Sequence, residues 1–229
     1  MKANLIFLAA MAITVFATGQ NQKVNNDGFV NPVFKCNGTL VQGTSFETID
    51  EFLVNFVNYP FESIKCAKQG TEVVRFTVTP AGEITNVTVI NSICPKVDQE
   101  VIRVLGLTNG KWQAGTVNDV KVHMEKEVSI AFKMRQSNDF TALAKDCLEK
   151  GNQMQMKGNL KKALKFYDQA VNFSPCEPTI LAARGISRYE IGDEVGANQD
   201  WTRLNKLGFF KNNINNNHLE EVTVVEAFK

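Results

Sequence analysis

The 229-residue sequence predicts an α+β fold, a small antiparallel sheet covered by helices, followed by an all-α domain built of helix hairpins. Three observations predict it. Residues 71–90, T-E-V-V-R-F-T-V-T-P-A-G-E-I-T-N-V-T-V-I, hold two β-branched runs of period two joined by a proline–glycine turn. From residue 120 to residue 134 every even position except Lys126 is apolar, the pattern of a long strand buried on one face. Beyond residue 138 the period becomes helical, and small residues recur at a spacing of 34, the length of a helix-pair repeat.

Composition narrows the classes. Apolar residues make up 44% and charged residues 21%, ordinary for a soluble globular chain. With 25 Lys and Arg against 24 Asp and Glu the formal charge is +1, so charge gives no reason to expect nucleic acid or an anionic surface as partner.

At the N-terminus Lys2 precedes an apolar run, residues 5–16, and Ala17-Thr18-Gly19 place small residues before Gln20. Residues 1–19 read as a secretory signal peptide outside the fold, with an uncleaved anchor as the alternative. The run is shorter than the ~20 apolar residues of a membrane-spanning helix. Residues 20–44 are polar and Asn-rich, an irregular lead-in with one short strand at 39–42. Thr44-x-x-Glu47 has the form of a capping box opening a helix whose Phe46, Ile49, Phe52, Leu53, Phe56 and Val57 make one apolar stripe. Pro60 ends it and starts a short helix, residues 61–67.

The hairpin follows. Pro95 then precedes a second amphipathic helix with Val97, Val101, Val104 and Leu105 on one face, and Asn109-Gly110 breaks it. Residues 111–115 lead into the last strand, 120–134, bent near Lys126. Lys121, His123, Glu125, Glu127, Ser129, Ala131 and Lys133 take its wet face. This domain spans 45–135.

Its motifs carry a resemblance. Y-P, Q-G, V-x-F-x-V-T-P-x-G-x-I-x-N-V-x-V, D-x-E-V and W-x-x-G, closed by an alternating strand, resemble the TonB carboxy-terminal domain in order and spacing over residues 46–134. The chain departs from the family's W-x-P-G at Ala114, which puts the loop before the last strand in question. The resemblance implies that an extended segment of an outer-membrane transporter docks on the last strand by strand addition. The residues it points to are Val120, Lys121, Val122, His123, Met124, Glu125, Glu127, Ser129 and Ala131. Asn58 and Tyr59, before Pro60, lie near the bound segment in the family. The opposing reading is an edge blunted by the charges of Lys121, Glu125, Glu127 and Lys133.

Residues 139–210 form the second domain. Ala144, Gly151, Gly158, Ala163, Tyr167, Ala170 and Pro175 are followed by Gly185, Gly192, Ala197 and Trp201, and the set resembles a pair of tetratricopeptide repeats. The second copy is looser, with Leu204 and Phe209 at its last positions. Two repeats leave a face for a neighbour, and the 219–228 segment, the preceding domain or another chain is available to cover it. Residues 211–229 are an Asn-rich connector and terminal segment.

A search for chemistry finds little. His123 falls on a polar strand face and His218 in the Asn-rich run, so a Ser/His/Asp arrangement has no material. Glu125 and Glu127 share a face, which reads as a solvated surface. No Gly-rich phosphate loop is present, and Trp112 and Trp201 read as core anchors. No enzyme, cofactor or metal site is expected. Five cysteines in an oxidising compartment leave one over. Cys66–Cys94 and Cys147–Cys176 are the pairs to look for first, though spacing does not fix them.

The function expected is a periplasmic or envelope module that binds protein segments. The alternative is a TonB-type energy transducer held by an uncleaved anchor. That role needs a long spacer, and roughly 25 extended residues after the leader reach at most ~90 Å.

Overall fold

Glu72, Val74, Phe76 and Val78 alternate along strand β4 (Gly70–Val78) and point one way, and the helices that meet this face set the architecture. The computed structural model describes residues 28–35, 46–60, 63, 68–134 and 139–209 with their side chains, and 11–17 and 223–228 by backbone alone. The chain divides into two compact units, Met1–Ser137 with Glu220–Lys229, and Asn138–Leu219.

In the first unit β4 turns at Pro80 and Gly82 into β5 (Ile84–Asn91). Gly82 has φ +83, a conformation that only glycine adopts freely. A Cβ there would run into the carbonyl oxygen of Trp112. The last strand, β9 (Met124–Met134), pairs antiparallel with β4 over nine residues, from Gly70↔Phe132 to Val78↔Met124. Helices α1 (Ile49–Phe56) and α2 (Pro95–Gly106) cover the inner face. Phe52, Leu53, Val74, Phe76, Val101, Leu105, Ile130 and Phe132 are fully buried in one core, and Trp112 stands edge-on to Phe34 and Phe76.

Several expectations need correction. The capping residue of α1 is Thr48, whose Oγ1 accepts from the Glu51 N–H at 3.2 Å. The cap is therefore Thr48, one turn later than read, and Glu51 Oε2 accepts from the Glu47 N–H at 3.0 Å; Thr44, the helix at 61–67 (Ser63 apart) and the strand at 39–42 lie outside the described residues. The lead-in contributes structure: β2 (Phe29–Val30) and β3 (Val33–Phe34) pair with β7 (Thr116–Val117) and β6 (Trp112–Gln113). Phe34 is buried against Phe52 and Trp112. Two-residue strands are too short to show a period.

Residues 120–134 are not one strand. Asn118 and Asp119 both have positive φ, 50° and 64°, the signature of a type I′ two-residue hairpin. That turn folds β8 (Val120–Lys121) back onto β7. β9 begins only at Met124 and runs unbroken through Lys126, which pairs with Phe76.

The N-terminal segment, expected outside the fold, supplies β1 (Met11–Ala17). β1 lies antiparallel on β9 and carries in turn β10 (Thr223–Phe228). The sheet order is β10-β1-β9-β4-β5. The C-terminal strand thus joins the first unit's sheet, whereas the sequence offered it as cover for the helices. Backbone groups on a strand edge need partners, and both apolar, β-branched segments supply them.

The second unit is two antiparallel helix pairs, α3 (Phe140–Met156) with α4 (Leu160–Phe173), and α5 (Pro178–Glu190) with α6 (Glu194–Lys206). Gly158 and Gly192, 34 residues apart, both have positive φ and close the first helix of each pair. Asn159 and Asp193 then cap the next helix through their side chains. Gly151 faces the Tyr167 ring as Gly185 faces the Trp201 ring, so each glycine admits the aromatic of its partner helix. Arg184 and Arg188 converge on Asp200, at 2.6 and 3.0 Å.

Candidate docking edge

The site is built on β9. Its even residues Val128, Ile130 and Phe132 are anchored in the core, which fixes the strand against β4 and turns its other edge outward. β1 takes that edge in a register from Met11↔Met134 to Phe16↔Ser129. The edge at Ser129–Met134 therefore has the geometry to accept an antiparallel strand.

The nine edge candidates divide. Met124, Glu125, Glu127, Ser129 and Ala131 lie on β9. Val120 and Lys121 belong to β8, in a different sheet, and Val122 and His123 are in the connection between the strands. The first two pair with β7 across the Asn118-Asp119 turn, and the other two lie in the connection that precedes β9. Ala131 is 1% exposed and Val73, on the same face, is fully buried, so the odd face is not the uniformly wet surface that alternation implies.

Two of the edge charges, Glu125 and Glu127, are engaged across strands. Arg75 on β4 pairs with Glu127 at 2.6 Å and reaches Glu125 at 3.8 Å, clamping the two carboxylates across strands. Lys121 is on β8. Lys126, on the inner side, lies near enough to Asp50 for its charge to oppose the upward push of burial on that carboxyl.

Asn58 and Tyr59 sit at the end of α1. The Asn58 backbone N–H donates to Glu100 Oε1 at 2.9 Å, tying the Tyr59-Pro60 corner to α2. The Tyr59 ring packs edge-on against Phe132 of β9 at 5.2 Å. Among the described residues its buried hydroxyl has no hydrogen-bond partner; burial, and then Cys94, push its pKa up to about 12.

Sequence reasoning missed a buried polar cluster here. Glu72 is completely buried, with Oε2 accepting from the Ile93 N–H at 2.9 Å and Oε1 without a partner among the described residues. Burial chiefly, with Asp98 and Cys94 adding to it against the Ile93 bond, raises its pKa to about 9. Its even position, in step with Val74 and Phe76, was the available signal. Cys94 Sγ lies 3.1 Å from Ser63 Oγ.

The expected disulfides are not formed. Cys94, Cys147 and Cys176 are thiols. Cys147 is buried within the helical unit and faces Gln169 Oε1 at 3.9 Å, while Cys176 Sγ accepts from Arg203 at 3.3 Å. Cys36 and Cys66 lie outside the described residues, as does His218. Among the described residues no cluster of His, Cys, Asp and Glu could hold a metal ion, and no helix is long and apolar enough to cross a membrane.

Residues 56–134 match the family model described as Gram-negative bacterial TonB protein C-terminal. No curated protein and no solved structure matches the chain.

Proposed function

We propose that this chain is an exported cell-envelope interaction module whose β9 edge docks an extended segment of a partner, an outer-membrane TonB-dependent transporter being the expected one. One observation carries the reading: the Ser129–Met134 edge already holds an antiparallel strand in register, so its backbone can bind by strand addition. The family match over 56–134 supports it independently. The helical unit acts as a second surface of tetratricopeptide type, a reading supported by the Gly–aromatic contacts repeated 34 residues apart. Export rests on the leader at 1–19, which is removed on this reading.

Replacing Ser129 with proline tests the docking. Proline removes a backbone donor from the strand, so capture of the transporter from envelope extracts should be lost while circular dichroism stays native. Unchanged capture by the folded variant rejects docking at β9. The TonB description of the matching family favours a second reading, energy transduction by a chain that keeps its N-terminal anchor. Sequencing the N-terminus of the envelope protein separates them: a start near Gln20 supports the adaptor, a start at Met1 the transducer.

A further inference from the structure

We propose that Met11–Ala17 is a built-in occupant of the docking edge, so that the chain is closed while it retains its N-terminal segment and opens when that segment is removed. The proposal rests on the strand-addition reading above and adds the regulation of that site.

The segment lies where a docked partner would lie. It covers Ser129–Met134 in antiparallel register, and β9 then has a neighbour on both sides, β1 and β4. Its sequence, M-A-I-T-V-F-A, has no charge, proline or glycine, and Ile13-Thr14-Val15 are all β-branched. Such a run suits a strand between two others. The same residues fall in the apolar run expected of the leader, residues 5–16, with small residues at 17–19. Cleavage before Gln20 would thus remove the whole strand, and with it the neighbour on which β10 pairs. A tethered segment also competes at an effective concentration in the millimolar range, so a free segment of ordinary affinity cannot displace it. The device keeps an apolar strand edge from pairing with other chains before export and exposes it once the leader is gone.

The test uses the full chain, purified unprocessed, and a labelled synthetic peptide of sequence M-A-I-T-V-F-A as the probe. Wild-type chain should bind the peptide at least tenfold more weakly than the Thr14→Pro chain, in which proline breaks the inner strand. Hydrogen exchange on the wild-type chain gives a readout that needs no variant. Pairing on both sides predicts slow exchange at every amide from Ser129 to Met134, whereas an open edge shows alternate amides exchanging fast. Fast alternate amides in the wild-type chain, or equal peptide binding by both chains, overturn the occupancy while leaving strand addition standing. If exchange shows the edge opened in the Thr14→Pro chain and the peptide still does not bind, the strand-addition reading fails and this inference fails with it.

Discussion

Replacing Glu72 with glutamine should stabilise the first unit at neutral pH and flatten its pH dependence. The wild-type side chain is completely buried, and its pKa is raised from 4.5 to about 9. The folded state therefore keeps a proton that the unfolded chain has lost between these values, and stability falls as pH rises through the window. The slope is about 1.4 kcal/mol per pH unit, so raising the pH from 4.5 to 7 removes about 3 kcal/mol of stability. The groups facing Glu72 are Asp98 and Cys94. Neither supplies a compensating positive charge. Glutamine keeps the shape, accepts the Ile93 N–H bond and remains neutral at every pH, so that component of the slope should vanish. Guanidinium denaturation followed by Trp112 emission, with Trp201 replaced by phenylalanine in both chains, measures the difference from pH 4.5 to pH 8. A wild-type stability independent of pH in this range, or a Glu72→Gln chain less stable than wild type at pH 8, would refute the reasoning.

Other outcomes follow from the helical unit and the sheet. Gly151→Ala would gain about 1 kcal/mol in an open helix, but here the new Cβ lies 2.6 Å from Tyr167 Cδ1 and 3.0 Å from Cζ. The buried ring is further held at its hydroxyl by Asn152 and Gln155, so a net loss of about 1–3 kcal/mol is expected in urea denaturation. Asp200→Ala removes the buried carboxylate that both Arg184 and Arg188 engage, while Asp168 still reaches both. It should cost about 1.5–3 kcal/mol, read as a lower thermal midpoint, and Asp200→Asn should cost less. Arg75→Ala releases the Glu125 and Glu127 carboxylates and should weaken the β4–β9 pairing, visible as faster amide exchange in β9 without unfolding.

What was legible in the sequence follows from the range over which a pattern acts. The 71–90 hairpin, the α2 stripe of Val97, Val101, Val104 and Leu105, and the 34-residue recurrence of Ala163 and Ala197, both fully buried, each repeat over enough residues to reveal their period. Alternation along 120–134 ran straight through the break at Val122-His123, because apolar spacing does not show that the turn at Asn118-Asp119 commits residues 120–121 to β7. That error moved four candidate residues off the strand. β2 and β3 were missed because two residues cannot show a period. Glu72 was hidden by its neighbours, although the even position placed its carboxyl among valines. The candidate edge was found by chain order and resemblance, but its occupant was not. Strand pairing joins residues more than a hundred positions apart, and nothing local in M-A-I-T-V-F-A names β9 as its partner.

The proposed function stands on strand addition at β9. Cross-linking mass spectrometry on the chain captured with its partner from the cell envelope tests it most directly, with a photoreactive residue placed at Ser129 or Lys133. Docking there gives cross-links to one short extended segment of an outer-membrane transporter, in antiparallel order along β9, lost in the folded chain when Ala131, between the two sites, is changed to proline. Cross-links confined to other surfaces, or an undiminished complex in that variant, would contradict it.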